Sequence, residues 1–352
     1  METLIKQITN NEETDKLIIS KAAEIIRKGG LVAFPTETVY GLGGDAFSDS
    51  AAKNIYAAKG RPSDNPLIVH IAKATDMEKL SDEVPESAYK LAKEFWPGPL
   101  TIIIKKNDCV PMSITGGLDT VAVRLPSNPV ARAIIEQSGT FIAAPSANLS
   151  GRPSPTTGAH VIEDLSGRID MIVDGGDIEI GLESTIVDLS GDIPTILRPG
   201  YVTLEQLRDI LTDVEIDPAI KGTLKEDMAP KAPGMKYRHY APKASLTIVK
   251  GDANKVVDKM VELLNKDTYN GLKVGIMTTK EHCRFFTKGE IICLGNIDDG
   301  KEIAKHLFAA LRQFDELNVD VIYSEAFSEE GIGHAVMNRL NKAAGHRTIL
   351  VK

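Results

Sequence analysis

The amino-acid sequence predicts an α/β protein of two domains, the first built on a large twisted mixed sheet and the second on a small parallel sheet. At 352 residues the chain exceeds the roughly 250–300 residues at which a single hydrophobic core stops growing. Short β-branched runs alternate with amphipathic stretches on both sides of a proline-rich segment around Pro233. We therefore place the domains at residues 1–216 and 245–352, joined by a linker at 217–244.

The elements of the first domain are predicted from the spacing of apolar residues. The first helix includes Ile18 and Ile26 and stops at Gly29, because glycine commonly follows a helix C-terminus. Strands are predicted where β-branched residues cluster between turn signals, at 31–34, 67–71, 100–105, 120–125, 141–144, 171–173, 185–189 and 195–197. Further helices are predicted at 50–58, 86–95, 129–137 and 204–211. Since some strands follow one another without an intervening helix, a mixed sheet is favoured.

After the linker, strands and helices alternate regularly. Strands are predicted at 246–249, 274–277, 291–294 and 319–323. Helices are predicted at 253–264, 301–314 and 335–344. Because a strand, a crossover helix and a second strand of one sheet form a parallel unit, this alternation predicts a small parallel three-layer domain.

Composition and charge exclude several classes of protein. Apolar runs fall far short of the roughly 20 residues of a membrane helix, and residues 1–10 carry no export signal. Cys109, Cys283 and Cys293 are odd in number and widely spaced, which predicts neither a disulfide framework nor a CxxC pair. A net charge of -8 argues against a nucleic-acid coat protein, although a local basic site remains compatible. We therefore expect a soluble cytoplasmic protein.

Polar, glycine-rich segments follow the predicted strands, where open α/β sheets bind ligands. The segment 35–43 carries hydroxyls that suit a small polar substrate and glycines that allow a tight backbone. Gly41, Gly43 and Ala46 also match the GxGxxG/A fingerprint of dinucleotide sites. That alternative lacks its context, since the match lies past the end of the strand and opens no clear helix.

A second cluster lies at the end of a predicted helix, where Lys59 and Arg61 flank Gly60. Basic residues at a helix C-terminus are ordinarily surface residues that compensate the helix dipole, and this alternative stays open. Ser63 and Asn65 add hydrogen-bonding groups, and the prolines beside them stiffen the segment. These features favour a preorganised anion site.

Other polar side chains follow later strands. One loop carries Ser146, Asn148 and Ser154, although an ordinary turn is the alternative for that composition. Arg124 and Arg198 each close a predicted strand. A single such arginine is more often a surface residue, but cations at successive element ends of one sheet suit a triphosphate and a carboxylate.

Several enzyme classes lack their signatures in this chain. The sequence contains no GxxxxGK[ST] phosphate loop, no HExxH and no GxSxG elbow. The seven histidines show no metal-ligand spacing. His70 ends a predicted strand, and on the residues alone it is interpreted as a core or rim histidine.

Taken together, the clusters resemble the YrdC-like threonylcarbamoyl-AMP synthase family in its longer, two-domain form. The family hallmark is a Lys-x-Arg followed by a distant Ser-x-Asn, which here are Lys59, Arg61, Ser146 and Asn148. The stretches PTETVYGLG, KGRPSDNPLIVH, APSANLSG, STIVDLSG and ILRPG are similar to the family's and occur in its order. The segment 232–242 is similar to the linker of the two-domain members.

The resemblance implies a concave basic cavity in the YrdC-like first domain and a Rossmann-like second domain. It implies a synthase that condenses L-threonine, bicarbonate and ATP for tRNA modification, with Mg²⁺ carried by ATP and no metal site of its own. The expected catalytic residues are Lys59, Arg61, Ser146 and Asn148. The expected ATP contacts are Lys59, Ser63, Thr120, Ser146, Ser154, Arg198 and Tyr240. The expected threonine contacts are Thr36, Arg61, His70, Arg124, Ala144 and Ser184.

The resemblance also implies a downstream tRNA threonylcarbamoyl transferase as a partner, leaves a direct tRNA contact open and implies no membrane partner. The linker, with Tyr237 and Tyr240, is a candidate cover for the cavity, and a plain proline-rich connector is the alternative. Two other functions stay open: an RNA-binding module without catalysis, and ATP-dependent carbamoylation of another acceptor. The acidic net charge and the lack of an aromatic-basic RNA motif count against the first.

Overall fold

The computed structural model divides the chain into two compact units. The first unit holds residues 1–150 and 154–236, and the second holds residues 151–153 and 237–352. The residues described below are 1–9, 11–220, 230–233 and 240–352. Much of the linker predicted at 217–244, including Tyr237, lies outside the described residues.

The first unit is built on one large mixed sheet, which confirms the predicted fold class. Its strands are β1 (Leu4–Gln7), β2 (Val32–Phe34), β3 (Gly41–Asp45), β4 (Ile68–His70), β5 (Leu100–Lys105), β6 (Thr120–Arg124), β7 (Ile142–Ala144), β8 (Met171–Asp174), β9 (Thr185–Asp188), β10 (Thr195–Arg198) and β11 (Glu215–Ile216). Their order across the described part of the sheet is β1-β8-β2-β3-β7-β4-β6-β5-β9-β10-β11. Neighbouring strands pair in both orientations: β4 and β6 are parallel, whereas β4 and β7 are antiparallel.

The helices of this unit cover the two faces of the sheet unequally. They are α1 (Glu12–Arg27), α2 (Asp49–Lys59), α3 (Glu86–Phe95), α4 (Met112–Thr115), α5 (Pro129–Ser138), α6 (Gly158–Leu165) and α7 (Leu204–Ile210). Residues of α2, α3, α6 and α7 share one large apolar cluster with inward-facing strand residues. On the opposite face, α1 and α5 share a cluster with β2, β7 and β8.

Local sequence explains why α5 starts and stops where it does. The side chain of Asn128 accepts hydrogen bonds from the backbone amides of Val130 and Ala131, and Pro129 occupies the first turn, where no amide donor is needed. Gly139 ends the helix with φ at 68°, a left-handed conformation that glycine adopts without a side-chain clash. The helix therefore spans ten residues and buries Ile134 against the sheet.

The segment after β2 corrects the sequence-based interpretation of its glycines. Gly41–Asp45 is a strand that pairs antiparallel with β2, not a phosphate-binding turn. A Cβ atom at Gly43 would lie 2.5 Å from Cγ2 of Ile142 and 2.6 Å from Cε1 of Phe34. Glycine is therefore required there by close packing, and the dinucleotide interpretation of Gly41, Gly43 and Ala46 is wrong.

The second unit contains a parallel sheet, as predicted. Its strands are β12 (Ser245–Gly251), β13 (Val274–Thr278), β14 (Glu290–Cys293), β15 (Val321–Glu325) and β16 (Thr348–Val351), in the order β14-β13-β15-β12-β16. Its helices are α8 (Ala253–Tyr269), α9 (Lys280–Cys283), α10 (Gly300–Glu316) and α11 (Gly333–Ala343). The pairings of these strands are all parallel. The described residues include no helix long and apolar enough to cross a membrane.

The cysteines differ from the sequence-based expectation of no disulfide. Cys283, the last residue of α9, and Cys293, the last residue of β14, form a disulfide with Cα atoms 6.4 Å apart. Their separation of ten residues gave no recognisable pattern, and the return of the chain from α9 to β14 brings them together. Cys109 remains a free, exposed cysteine.

Candidate active site

The sheet face that α1 and α5 cover over β2, β7 and β8 continues over the neighbouring strands from β4 to β10. There it carries a small apolar cluster with polar residues beside it. The cluster consists of residues from strands and from the described part of the linker, namely Ile68, Ile103, Ala122, Ile186, Leu197 and Ala232. Side chains two positions apart on a strand share a face. His70 and Arg124, which pair across β4 and β6, therefore continue the rows that Ile68 and Ala122 begin. This half of the face is the candidate site.

Lys59, at the end of α2, joins the two hallmark motifs. The side chain is 3% exposed. Its Nζ atom donates hydrogen bonds to the carbonyl oxygens of Ser146 and Asn148 and, at 3.3 Å, to Oδ1 of Asn148. Ser146 Oγ donates to the same Oδ1 at 2.5 Å. The predicted group of a lysine, a serine and an asparagine is thus brought together across 87 residues of sequence.

The Ser146 loop is also held by the glycine-rich strand β3 and the residue before it. Leu42 donates its backbone amide to the carbonyl of Pro145 at 2.9 Å, and Ala147 donates to the carbonyl of Tyr40 at 2.8 Å. The close packing that requires glycine in β3 therefore also fixes the Ser-x-Asn loop against the sheet. Backbone hydrogen bonds of this kind give the site a preorganised frame.

Arg61 and Ser63 follow the left-handed Gly60 at the end of α2. The Nη2 atom of Arg61 donates to the carbonyl oxygens of Asn65 at 3.3 Å and Pro66 at 3.2 Å. Arg61 is partly buried, whereas Ser63 is exposed on the same loop. The guanidinium thus braces its own loop.

Arg124 forms a buried ion pair that sequence reasoning missed. Its Nη2 atom lies 2.6 Å from Oε1 of Glu37, and each side chain is 5% exposed. Oε2 of Glu37 accepts the backbone amide of Ser127 at 3.2 Å, and Nε of Arg124 donates to the carbonyl of Gly98 at 3.4 Å. A paired guanidinium held on two sides has a fixed plane, which favours bidentate binding of a second carboxylate.

His70 is neutral at physiological pH. Burial, reinforced by the nearby Arg124 guanidinium, lowers the pKa of His70 to about 3. Its Nδ1 atom lies 3.1 Å from the carbonyl oxygen of Ile68, and the edge of Phe34 packs against its ring. His70 therefore adds a polar but uncharged surface beside Arg124.

Arg198 and Ser184 form a second buried pair. The Nε and Nη2 atoms of Arg198 donate to the carbonyl and hydroxyl oxygens of Ser184 at 3.0 and 3.1 Å. The hydroxyl of Ser184 also lies 2.7 Å from that of Thr101. An irregularity in the register of β9 and β10, between Ile196 and Arg198, accompanies this contact. The predicted strand-end arginine thus faces the site through a hydroxyl network.

The remaining predicted contacts are distributed more widely. Thr36 Oγ1 donates to the carbonyl of Val39 at 2.5 Å and so closes the turn after β2. Ala144 pairs with Ile68 across β7 and β4, and Thr120 is the first residue of β6. Tyr240 belongs to the second unit, where its ring packs 5.0 Å from that of Phe308.

Acidic residues offset part of the cationic charge that the sequence predicts. Glu183, buried beside Ser184, accepts a hydrogen bond from Ser154 Oγ at 2.5 Å. Glu37, which pairs with Arg124, is a second buried carboxylate. Glu37 stands inside one of the motifs noted in the sequence and Glu183 directly precedes another, but nothing in a single sequence distinguishes a buried acid from an exposed one. Among the described residues, no group of three or more His, Cys, Asp or Glu side chains is placed to hold a metal ion.

The described part of the linker contacts this site. Ala232 is fully buried in the apolar cluster of the site face, and the carbonyl of Pro233 accepts a hydrogen bond from Nη1 of Arg198 at 3.4 Å. Residues 230–233 therefore pack on the sheet within the first unit.

Comparison with known proteins gives consistent matches along the chain. A family model described as "Telomere recombination" matches residues 24–200, and one described as "Threonylcarbamoyl-AMP synthase, C-terminal domain" matches residues 202–345. The threonylcarbamoyl-AMP synthase of Pyrococcus abyssi is 50% identical over 98% of this chain and 99% of its own length. That of Bacillus subtilis is 47% identical over 97% of each. The crystal structure of P. abyssi Sua5 complexed with L-threonine superimposes with a TM-score of 0.93, at 48% identity, over 100% of both chains.

Proposed function

The chain belongs to the threonylcarbamoyl-AMP synthase family in its two-domain form, and we propose that it makes threonylcarbamoyl-AMP and pyrophosphate from L-threonine, bicarbonate and ATP. The observation that carries this proposal is the buried contact of Lys59 with the Ser146 and Asn148 loop. It brings the two hallmark motifs together. The reaction ends in a nucleotidyl transfer, so we class the protein as a nucleotidyltransferase.

Threonine is proposed to bind between the two buried arginines. Nη1 of Arg124 has no hydrogen-bond partner among the described residues, so it is available for the substrate carboxylate. The neutral imidazole of His70 does not repel the substrate amine. Thr36, Arg61, Ala144 and Ser184 complete the proposed pocket. In the first step the free amine attacks the carbon of bicarbonate, and a carbamate forms with loss of water.

ATP is proposed to lie along the Lys59 side of the site. The carbamate oxygen then attacks the α-phosphorus, and pyrophosphate leaves. The proposed ATP contacts are Lys59, Ser63, Thr120, Ser146, Ser154, Arg198 and Tyr240. Transfers of this kind depend mainly on positioning and charge stabilisation, so cations and hydroxyls suffice without a protein nucleophile. Mg²⁺ enters with ATP as part of the substrate.

The linker is proposed to exclude water from the labile carbamate. The burial of Ala232 and the hydrogen bond to Pro233 support this role within the first unit. Replacing Ala232 with glutamate should displace the segment and lower the yield of adenylate while pyrophosphate release continues. An unchanged ratio of adenylate to pyrophosphate would show that the segment is a plain connector.

Pyrophosphate release tests the function itself. Purified protein with ATP should release pyrophosphate only when both threonine and bicarbonate are present. Lys59→Ala should abolish the release, whereas Lys53→Ala, which removes an exposed lysine of the same helix, should not. Release that is indifferent to threonine would point to another acceptor. A cytoplasmic location and transfer of the product to a tRNA-modifying transferase stay predictions of the same proposal.

A further inference from the structure

Asn65 is a buried side chain whose polar atoms are left without partners. It is fully buried, and neither Oδ1 nor Nδ2 of its carboxamide has a hydrogen-bond partner among the described residues. Buried amide groups are satisfied in the great majority of cases, because burial removes the hydrogen bonds that water supplies. A carboxamide with both ends unsatisfied therefore requires an explanation.

The backbone around Asn65 is held firmly. Its carbonyl oxygen accepts hydrogen bonds from the hydroxyl of Tyr56 at 3.0 Å and from Arg61 at 3.3 Å. Two residues later, Leu67 donates its amide to the carbonyl of Ile114 at 2.8 Å. Three anchors therefore fix the position from which the carboxamide projects, which is the condition for a selective contact.

Asn65 also lies where two proposed ATP-binding segments meet. Ser63 stands two residues before it on its own loop. The facing segment runs from α4 to Thr120, and its Gly116 is so close that a Cβ atom there would lie 2.9 Å from the carbonyl oxygen of Asp64. The unsatisfied carboxamide is thus at the junction of the loops proposed to bind the nucleotide.

The chemistry of the carboxamide limits its partner. Nδ2 is a donor and Oδ1 is an acceptor, so a matching ligand must present an acceptor and a donor side by side. Phosphate oxygens at neutral pH offer acceptors only. The adenine edge offers the N6 amino donor beside a ring-nitrogen acceptor, and asparagine binds that edge in a bidentate manner. Along the N6 and N7 edge at which asparagine binds adenine, guanine presents two acceptors, O6 and N7, and one carboxamide cannot pair with both.

We propose that Asn65 reads the adenine base of ATP, pairing its carboxamide with the N6 amino group and an adjacent ring nitrogen, and so makes the enzyme select ATP over GTP. This inference rests on the proposed function, since it assigns a base-reading residue to the ATP of that reaction. Arg61 connects the Asn65 loop with the reaction site. Its guanidinium holds the carbonyls of Asn65 and Pro66, and the same residue is proposed to complete the threonine pocket.

The test compares nucleotide preference in wild type and variants. Equilibrium binding and pyrophosphate release are measured with ATP, GTP and 2′-deoxy-ATP. Asn65→Ala should lower the preference for ATP over GTP by about tenfold, which is within the range of one bidentate base contact. Asn65→Asp, which keeps the shape but lacks the donor, should do the same. Asn54→Ala, which removes an exposed asparagine from α2, should leave the preference unchanged.

Each other outcome overturns the inference. An equal loss for ATP and GTP would mean that Asn65 only shapes the loop. A loss for ATP that is absent for 2′-deoxy-ATP would assign the carboxamide to the ribose. An unchanged preference together with lower thermal stability would assign it to an internal water. Nucleotide binding is measured without threonine, so these results are obtained even if no adenylate forms. A failure of the inference about Asn65 can therefore be told apart from a failure of the proposed function.

Discussion

The two halves of one sheet face in the first unit differ in what covers them, and this difference marks the site. Under α1 and α5, outward-facing strand residues such as Phe34 and Ile142 are apolar and fully buried. In the other half, the same alternation places His70, Arg124 and Ser184. None of the described members of the apolar cluster there belongs to a helix. Strand pattern is alike in both halves, so the covering helix decides which positions are free to carry chemistry.

The largest expected effect is the loss of stability when a buried charge in the polar half is replaced by an apolar side chain. Arg124→Met leaves the Glu37 carboxylate buried and unpaired, which should cost about 3–5 kcal/mol of unfolding free energy. Denaturant unfolding would measure this loss. The double variant Glu37→Gln with Arg124→Met should recover most of the stability but not threonine binding. If the double variant also regained threonine binding, Arg124 would be a structural residue only.

A substitution in the covered half should lower stability without changing catalysis. Ile134→Ala in α5 removes a fully buried side chain and should cost about 2–5 kcal/mol of stability through the cavity it leaves. Since Ile134 lies in the helix-covered half, kcat and KM of the folded fraction should stay close to wild type. A changed KM for threonine with an unchanged melting temperature would remove the distinction between the halves.

The glycine-rich strand β3 lies within the covered half, between β2 and β7, and a substitution there should show a smaller effect. Gly43→Ala forces a Cβ atom against Ile142 and Phe34 and should cost about 1–3 kcal/mol. Because β3 also holds the Ser146 loop, activity should fall together with stability. Gly191→Ala, with nothing within 4 Å of its added Cβ atom, is the matched control for an added methyl group.

Over a single pH unit, the smallest expected effect is the pH dependence due to His70. The unfolded chain binds a proton near the ordinary pKa of 6.5, whereas folded His70 stays neutral down to about 3. Stability should therefore fall as the pH drops below 6.5, by up to about 1.4 kcal/mol per pH unit from this residue. His70→Gln should remove that contribution. Identical unfolding profiles for wild type and variant between pH 6.5 and 5 would contradict the buried neutral state.

Much of the fold could be predicted because most strands carry β-branched runs. The predicted bounds of β5 and α3 are those of the structure. β3 was missed because its glycines read as a turn, and its packing against Ile142 depends on a strand a hundred residues away. β16 was missed because it is short and alternates between exposed and partly buried residues. Local pattern fails where distant packing decides.

The basic and hydroxyl side chains of the candidate site could be predicted from the sequence, but its acidic side chains could not. Lys59 and Ser146 were identified from motifs, and the structure brings them together. Glu37 and Glu183 received no role, because only the folded chain shows that they are buried beside arginines and serines. The unsatisfied carboxamide of Asn65 is likewise a property of packing, which no single sequence contains.

Following the product shows whether the half of the sheet face that carries His70 and Arg124 makes threonylcarbamoyl-AMP. Protein is incubated with radiolabelled bicarbonate, threonine and ATP, and the adenylate fraction is counted. We expect label in the adenylate only when threonine and ATP are both present, its loss in Lys59→Ala and its retention in Lys53→Ala. Pyrophosphate release with no label in an adenylate, or label retained in Lys59→Ala, would contradict it.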